Sequence, residues 1–530
     1  MVLNYIWIGF FLIALIVGII KSILGDTAVF GDMVGITFDM AKAGFEISLY
    51  LTGILCLWLG IMKIGEKGGS VKMMSRLVGP FFNKLFPDVP EDHPARGSML
   101  MNFSANMLGL DNAATPMGLK AMNELQELNA DKKKASNAMI MFLVLNTSGL
   151  TLIPVTVMTY RAQYGAENPA DIFLPILIST YIASLIGLIA VAIYQRINLF
   201  DRVILSYLLG MTAIIGGIFW YFQSLPADEL ETQSSFLSNL ILFGIICLFI
   251  IMALTKKVNV YEAFIEGAKG GFDIAIKIIP YLVAILVSIG VFRASGAMDY
   301  LIQGMELFFG LFTDQTEFVN GLPTAFMKPL SGSGARGMML DAFETHGVDS
   351  FIGKLTATLQ GATDTTFYII AVYFGSVGIR NTRYAIKAGL LADLGGVVAG
   401  IIVATAFFGG ELQHKKDSEQ VASEFIAAWT EMDAEGLSNN ITDNCLLYDQ
   451  AYDTIASRSE DIINHYLIGQ FDEIELQTKN NIEALKTDED LTDHFVIKIK
   501  IRQDSSVTSN TYELIIRNEA INEIKYYGNF

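Results

Sequence analysis

One carboxylate lies inside a long apolar stretch of this 530-residue chain. Asp364 belongs to the run QGATDTT (360–366), and both flanks of that run are strongly apolar. Ionisable groups inside membrane-spanning helices are energetically costly, so they are candidate functional groups. A Gly-containing polar run is typical of a broken helix that lines a site. We predict that Asp364, Gln360 and Thr365 contact a solute, with H⁺ or Na⁺ coupled through Asp364.

A second polar run, LNTSG (145–149), lies in another apolar stretch and is followed by Pro154. Its side chains Asn146, Thr147 and Ser148 are predicted to contribute to the same site. The alternative is structural, because Ser and Thr hydroxyls often bond neighbouring backbone and Asn can bond across helices.

Two further segments, 97–123 and 321–345, mix apolar patches with Gly, Pro, Asn, Asp and Ser. Helices that begin at 112–116 and 333–337 would direct free N–H groups at an anionic or hydroxyl-rich ligand. For Arg336 the alternative is an ion pair with Asp341 or Glu344. The tips of these segments supply seven more candidate binding residues: Asn106, Asp111, Asn112, Thr115, Ser331, Ser333 and Arg336.

The elements that must position these residues are membrane helices. Hydrophobic residues make up 52% of the chain and charged residues 17%, against roughly 25% charge in soluble domains. The two mixed segments are interpreted as re-entrant hairpins, since non-helical backbone survives at membrane depth only inside protein or a wet cavity. Nine stretches are long enough to span a bilayer: 5–24, 44–62, 137–160, 172–194, 203–222, 236–254, 273–292, 354–375 and 388–408.

The last 114 residues differ in character. Residues 417–530 contain 8 basic and 23 acidic side chains, whereas 1–416 contain 28 and 31. Two amphipathic helices (418–432 and 460–467) and four alternating runs (474–477, 495–501, 512–516 and 521–527) predict a small soluble α+β domain. That order resembles the cone of nuclear-transport-factor-2-like (NTF2-like) proteins. Asp449 and His465 are its acid–base candidates, but a closed binding or assembly module is the preferred interpretation.

Several functional classes are disfavoured. A net charge of −18 argues against nucleic-acid binding, and three dispersed cysteines form no disulfide framework or evident metal site. The sequence has no HExxH, GxSxG or P-loop motif. We predict a protein that is not an enzyme and has no cofactor.

Loop charges predict the orientation. With nine crossings, one side of the membrane holds 18 Lys and Arg and the other holds 5. The positive-inside rule therefore places the N-terminus in the cytoplasm and residues 417–530 outside a bacterial inner membrane.

The two halves of the membrane region resemble each other. GFEI (44–47) echoes GFDI (271–274), AATPMGLKAM (113–122) aligns with ARGMMLDAF (335–343), and LNTS (145–148) aligns with LQGA (359–362). Five crossings separate the two starts, so the second copy is inverted and a binding site is expected near the midplane. Chance similarity between apolar helices is the alternative.

These residues carry a family resemblance. FGDMVGITFDMAKAGFEISLYLTGILCLWLGIMKIGEKGG (30–69), NFSANMLGLDNAATPMGLKAM (102–122) and LNTSGLTLIP (145–154) resemble spore maturation protein A. PTAFMKPLSGSGARGMMLDAF (323–343) and LQGATDTTFYIIAVYFG (359–375) resemble spore maturation protein B. Both families carry the Gate, or nucleoside recognition, domain, which the ferrous iron transporter B membrane region and, more distantly, concentrative nucleoside transporters share.

The resemblance implies a fold of inverted repeats with re-entrant hairpins over about 1–410. We divide the chain into an A-like repeat (1–200), linking helices with a B-like repeat (201–412), and the soluble domain (417–530).

Two functions remain open at this stage. The first is a transporter or permease in the lipid bilayer that moves a small polar or anionic solute. Likeness to related transporters adds the expectation of a homodimer. The second is a scaffold or sensor that presents residues 417–530 to an envelope protein. A metal-ion gate is less favoured, because no Cys or His lies in the predicted site.

Overall fold

The computed structural model describes residues 2–108, 111–225, 227–313, 315–430 and 439, and seven strand segments after residue 440. The chain forms two compact units, Met1–Phe407 and Phe408–Phe530. The first unit is helical and the second contains a β-sheet.

The helices follow in chain order. They are α1 (Val2–Ile23), α2 (Val29–Gly68), α3 (Ser70–Leu85), α4 (Pro94–Met107), α5 (Asp111–Leu128), α6 (Asn137–Ser148), α7 (Val155–Gln163), α8 (Phe173–Gln195), α9 (Arg202–Gln223), α10 (Ala227–Thr255), α11 (Val260–Ala294), α12 (Ala297–Phe309), the 3₁₀ turn η1 (Glu317–Gly321), α13 (Leu322–Met327), α14 (Gly332–His346), α15 (Phe351–Gly361), α16 (Thr366–Ser376) and α17 (Ala385–Thr430).

Among the described residues, six helices are long and apolar enough to cross a membrane. They coincide with six of the nine predicted spans and belong to α1, α2, α8, α9, α10 and α17. A seventh predicted span falls on Ile279–Ala294, which continues into α12 after a bend of 72°. The sequence did not predict α3 or α12, nor the early starts of α2 and α11.

Two of the nine predicted spans, 137–160 and 354–375, are each formed by two helices with a break between them, as the broken-helix interpretation of their polar runs predicted. The first stretch is α6 and α7, separated where Gly149 caps α6 in the left-handed conformation (φ 50°) and Pro154 precedes α7. The second is α15 and α16, separated at residues 362–365. Left-handed backbone is favourable for glycine, and proline lacks a backbone N–H, so neither continues a helix.

Equivalent caps start the two broken stretches. The Ser136 hydroxyl accepts the backbone N–H of Met139 (3.3 Å), and the Ser350 hydroxyl accepts that of Gly353 (3.0 Å). Each hydroxyl satisfies an N–H that the helix leaves unpaired. The α6 and α15 starts are therefore fixed by the same local chemistry.

The long helices α2 and α11 pack against each other along much of their length. A Cβ built on Gly44 would lie 3.0 Å from the Cα of Val283, and one on Gly271 would lie 2.7 Å from the backbone nitrogen of Cys56. Glycine is required at both positions because the partner backbone occupies the space of a side chain.

The next helix begins in the same way in both halves. Gly69 (φ 88°) precedes α3 and Gly296 (φ 83°) precedes α12. Each left-handed glycine lies against one lysine, Lys256 directly after α10 and Lys21 in α1 respectively. The turns after α2 and α11 are thus alike in conformation and surroundings.

In the second unit, seven strands form one sheet. They are β1 (Ile441–Tyr448), β2 (Thr454–Ala456), β3 (Glu473–Leu476), β4 (Lys486–Thr487), β5 (Asp493–Gln503), β6 (Ser506–Arg517) and β7 (Ala520–Tyr526). The order is β2-β1-β7-β6-β5-β3, with β4 on β5. All pairs are antiparallel except β1 with β7. The four alternating runs coincide with β3, β5, β6 and β7. The predicted helix 460–467, Asp449 and His465 lie outside the described residues.

Candidate functional site

A cavity of about 210 Å³ opens where the two helix breaks meet the ends of α4 and α13. Typical ligand pockets hold roughly 300–1,000 Å³, so this one suits a compact solute. Its lining comprises Asn106, Asn146, Gly149, Thr151, Ile153, Pro154, Val155, Thr156, Val157, Lys328, Gly332, Arg336, Gln360, Gly361, Thr363, Asp364 and Thr365.

Backbone hydrogen bonds hold the breaks in place. The N–H of Leu152 donates to the Met107 carbonyl at 2.8 Å, and the N–H of Phe367 donates to the Pro329 carbonyl at 3.0 Å. Each break is thus tied to the end of a neighbouring short helix, α4 or α13. Such bonds replace those that a continuous helix would make within itself.

Amide side chains make a second set of links. The Asn106 amide donates to the Asn146 side-chain oxygen at 2.6 Å, and Asn146 donates to the Phe142 carbonyl at 2.8 Å. In the other half, Gln360 donates to the Gly332 carbonyl at 3.5 Å. The buried side-chain oxygen of Gln360 accepts no hydrogen bond from any described residue.

Three charged groups line the cavity. The Asp364 carboxylate is exposed there and accepts the Thr365 backbone N–H at 2.7 Å. Arg336 lies over the Tyr160 ring with its guanidinium carbon 5.2 Å from the ring centre, and Lys328 is buried. Two cations and one anion leave a net positive lining, which favours an anionic or polar solute.

The alternative interpretation of Arg336 was wrong, because its proposed partners are occupied elsewhere. Asp341 pairs with Arg293 of α11, at 2.8 Å from the Arg293 Nε, and Glu344 accepts the Tyr164 hydroxyl at 3.0 Å. Arg336 is thereby left facing the cavity.

Helix starts add to the positive field. The N-terminal residues of α7 (Val155–Val157) line the cavity, and Gly332 and Thr365 place the starts of α14 and α16 there. Free N–H groups and the positive dipole end at a helix start attract negative charge. The predicted ranges for the half-helix starts, 112–116 and 333–337, begin one residue after the observed starts of α5 and α14.

Six predicted site residues line this cavity: Asn106, Asn146, Arg336, Gln360, Asp364 and Thr365. Five lie outside its lining: Thr115, Thr147, Ser148, Ser331 and Ser333. The Thr147 and Ser148 hydroxyls bond carbonyls of their own helix, and the Ser331 hydroxyl caps α14 through the Gly334 N–H. The side chains of Asp111 and Asn112 lie outside the described residues.

Sequence reasoning missed several residues near the site. Lys328, Thr151, Tyr160 and Asp393 were not chosen as site residues. Asp393 is 3% exposed in α17, next to Thr363 and Thr366. The sequence could have indicated Asp393, because it is a carboxylate inside the apolar run 388–408, and Asp364 was chosen on the same grounds.

Within the parts of the chain that the structure describes, no group of three or more His, Cys, Asp and Glu side chains could hold a metal ion. The polar part of the cavity lining consists of amides, hydroxyls, two cations and one carboxylate. Its chemistry is suited to binding and orienting a polar molecule.

The fold and the cavity define a multi-pass membrane protein with a polar site at broken helices. A family model described as "Gate: Nucleoside recognition" matches residues 48–163 and 275–380. Every residue that lines the cavity lies inside these two segments.

Two curated proteins of Bacillus subtilis (strain 168) are similar to this chain. Spore maturation protein A is 43% identical over 182 residues, which is 34% of this chain and 90% of that protein. Spore maturation protein B is 51% identical over 154 residues, 29% of this chain and 85% of that protein. The chain belongs to the family of spore maturation proteins A and B.

Proposed function

We propose that this protein is a permease that moves a small polar or anionic solute through the cavity at the two helix breaks. The observation that carries the proposal is the cavity itself. A net-positive polar lining inside an apolar helical unit is expensive unless it serves a polar ligand. The family description, nucleoside recognition, makes nucleosides the first solute class to test. No catalytic role is proposed.

We infer further that the membrane unit consists of two inverted repeats. Gly271 lies 227 residues after Gly44, and Val283 lies 227 residues after Cys56. Gly44 contacts Val283 and Gly271 contacts Cys56, so the two contacts between α2 and α11 are reciprocal. The left-handed glycines Gly69 and Gly296 are also 227 residues apart. A two-fold axis perpendicular to two antiparallel helices produces such reciprocal contacts, so they support this inference. In a membrane that axis lies in the bilayer plane, as in inverted-repeat transporters.

The pairs α4–α5 and α13–α14 occupy corresponding places before the two breaks, and we interpret them as re-entrant hairpins. Their ends bond the breaks through Met107 and Pro329. A rocking or elevator-like displacement of one repeat against the other would expose the cavity alternately to each side.

The proposal also covers the location of the protein, its oligomeric state and its C-terminal unit. The protein lies in a bacterial inner membrane with its N-terminus in the cytoplasm and residues 417–530 outside, as the loop charges favour. It functions as a homodimer. The C-terminal unit is an NTF2-like module for an envelope partner, an assignment that the mostly antiparallel sheet with its parallel β1–β7 pair supports.

The test is solute binding and uptake by the purified full-length protein. Thermal unfolding is measured with nucleosides, small carboxylates, amino acids and inorganic phosphate, and each hit is then followed as uptake into proteoliposomes. A ligand present at a hundredfold excess over its Kd stabilises the folded state by about 2.7 kcal/mol.

Truncation at residue 416 separates the two functional hypotheses. Uptake that survives truncation supports the permease. Absence of binding and uptake, combined with a cellular phenotype that needs residues 417–530, would replace it with the scaffold or sensor.

A further inference from the structure

Asp393 is a buried carboxylate that the proposed solute site does not use. It lies in α17 with 3% of its surface exposed. Among the described residues, neither of its two oxygens accepts a hydrogen bond. An ionised carboxylate that is buried without hydrogen bonds is destabilising, so such a group is expected to bind a proton or a cation.

The surroundings of Asp393 are the polar edge of the second helix break. The Thr363 and Thr366 side chains lie beside it, and Lys328 and Asp364 are the ionisable groups that face it. The Thr366 hydroxyl also has no hydrogen-bond partner among the described residues. Close packing brings the break onto α17, since a Cβ on Gly389 would lie 2.8 Å from the Thr366 methyl group.

The corresponding place in the first half holds a neutral side chain. Gly187 of α8 faces Val144 and Ser148 of α6. In the second half, Gly400 of α17 faces Thr358 of α15 and Ala362, which align with Val144 and Ser148. Seven residues before these glycines lie Thr180 and Asp393 respectively. Thr180 is fully satisfied, because its hydroxyl accepts the Thr151 N–H of the first break (3.4 Å) and donates to the Leu177 carbonyl (3.1 Å).

We propose that Asp393 is the binding site of a small monovalent cation, H⁺ or Na⁺, beside the second break. The inference rests on the proposed permease function, of which it names the coupling site, and it moves that site from Asp364 to Asp393. The carboxylate supplies the charge, and the Thr363 and Thr366 hydroxyls supply neutral oxygens, the ligand type that hard cations prefer. In the H⁺ case the proton resides on the carboxylate itself.

The site is placed to respond to the solute. Lys328 faces both the cavity and Asp393, so an anionic group that pairs with Lys328 weakens the attraction between Lys328 and Asp393. Asp393 then binds a cation more favourably. By linkage, the cation favours binding of the anionic solute by the same factor.

The first test needs no solute and uses the purified full-length protein. Thermal unfolding is recorded in NaCl against choline chloride at equal ionic strength, and over a pH series in choline chloride alone. Na⁺ binding raises the melting temperature in NaCl only. Proton binding makes the protein most stable at low pH, because the buried carboxylate is neutral there, and stability is lost as the pH rises through its ionisation.

The variants Asp393→Asn and Asp393→Thr both remove the charge. Threonine is the residue at the corresponding position of the first half, Thr180. Both variants are expected to abolish the Na⁺ or pH response, while the matched variant Thr180→Ser keeps it. A response that persists unchanged in either Asp393 variant would overturn the site, as would a wild-type protein that responds to neither ion.

Carbodiimide labelling of the wild-type protein gives a readout that does not depend on variants folding. The reagent adds to protonated buried carboxyls, and mass spectrometry locates the adduct. Labelling of Asp393 that falls with rising pH, or with added Na⁺, supports the inference, and labelling indifferent to both contradicts it. A cation response without any solute flux would support the cation site and contradict the permease. Solute flux without a cation response would support the permease and contradict the cation site.

Discussion

The backbone N–H of Asp364 donates a 2.8 Å hydrogen bond to the carbonyl of Thr147, and this bond joins the two helix breaks directly. The two residues are 217 positions apart in the sequence. Each belongs to a polar run inside an otherwise apolar stretch. Because the bond uses main-chain atoms, it fixes the position of the Asp364 side chain without occupying its carboxylate.

That carboxylate is therefore expected to serve the solute. Asp364→Asn should abolish uptake while membrane insertion and thermal stability stay close to wild type, since the backbone bond to Thr147 is unaffected. Uptake into proteoliposomes is the measurement, with melting temperature as the folding check. Glu91→Gln, an exposed loop carboxylate before α4, is the control. Wild-type flux in Asp364→Asn would exclude a role in transport.

The hydrogen bond between Asn106 and Asn146 should couple the end of α4 to the break after α6. Each Asn→Ala variant leaves the other amide unpaired, so the double variant is expected to lose about 1 kcal/mol less than the sum of the two singles. The free energies of unfolding of the wild type, the two single variants and the double variant are measured by thermal or denaturant unfolding. Pairing Asn146→Ala with Asn123→Ala, an exposed residue that bonds its own helix, should give additive losses. Additivity for both pairs would mean that the amide bond contributes nothing.

Neighbouring glycines provide a matched test of the α2–α11 contact. Gly271→Val places a side chain against the backbone of Cys56 and should destabilise the protein by about 1–3 kcal/mol beyond Gly270→Val. Nothing lies within 4 Å of a Cβ on Gly270, while the helix-propensity cost of valine is the same for both. The difference in unfolding free energy isolates the packing cost. Equal effects would refute the close approach.

A buried ion-pair cluster fixes the end of α7. Arg161 is fully buried and contacts Asp171 (2.9 Å) and Asp349 (2.8 Å). Arg161→Met should cost about 3–5 kcal/mol, because Asp171 is left as a buried charge. Lys84→Met removes an exposed partner of Asp201 and should have a far smaller effect. Comparable melting temperatures for the two variants would show that the cluster is not stabilising.

Hydrophobic runs of about 20 residues determined the membrane helices from sequence alone, because the bilayer sets the length of an apolar span. The sequence also identified the polar runs around Asn146 and Asp364, since polar groups in such spans are costly. Gly149 and Pro154 marked the first break through their backbone chemistry. The similar GFEI and GFDI strings were visible in the sequence because close packing of α2 on α11 excludes a side chain at Gly44 and Gly271.

Only the tertiary structure decided which polar residues face the cavity. Thr147 and Ser148 are polar and adjacent to Asn146, yet their hydroxyls bond their own helix. Arg336 faces the cavity because Arg293 and Tyr164, distant in sequence, occupy its expected partners. Asp393 is buried only because α17 packs against the second break. Side-chain function at these positions depends on long-range neighbours, which local composition does not encode.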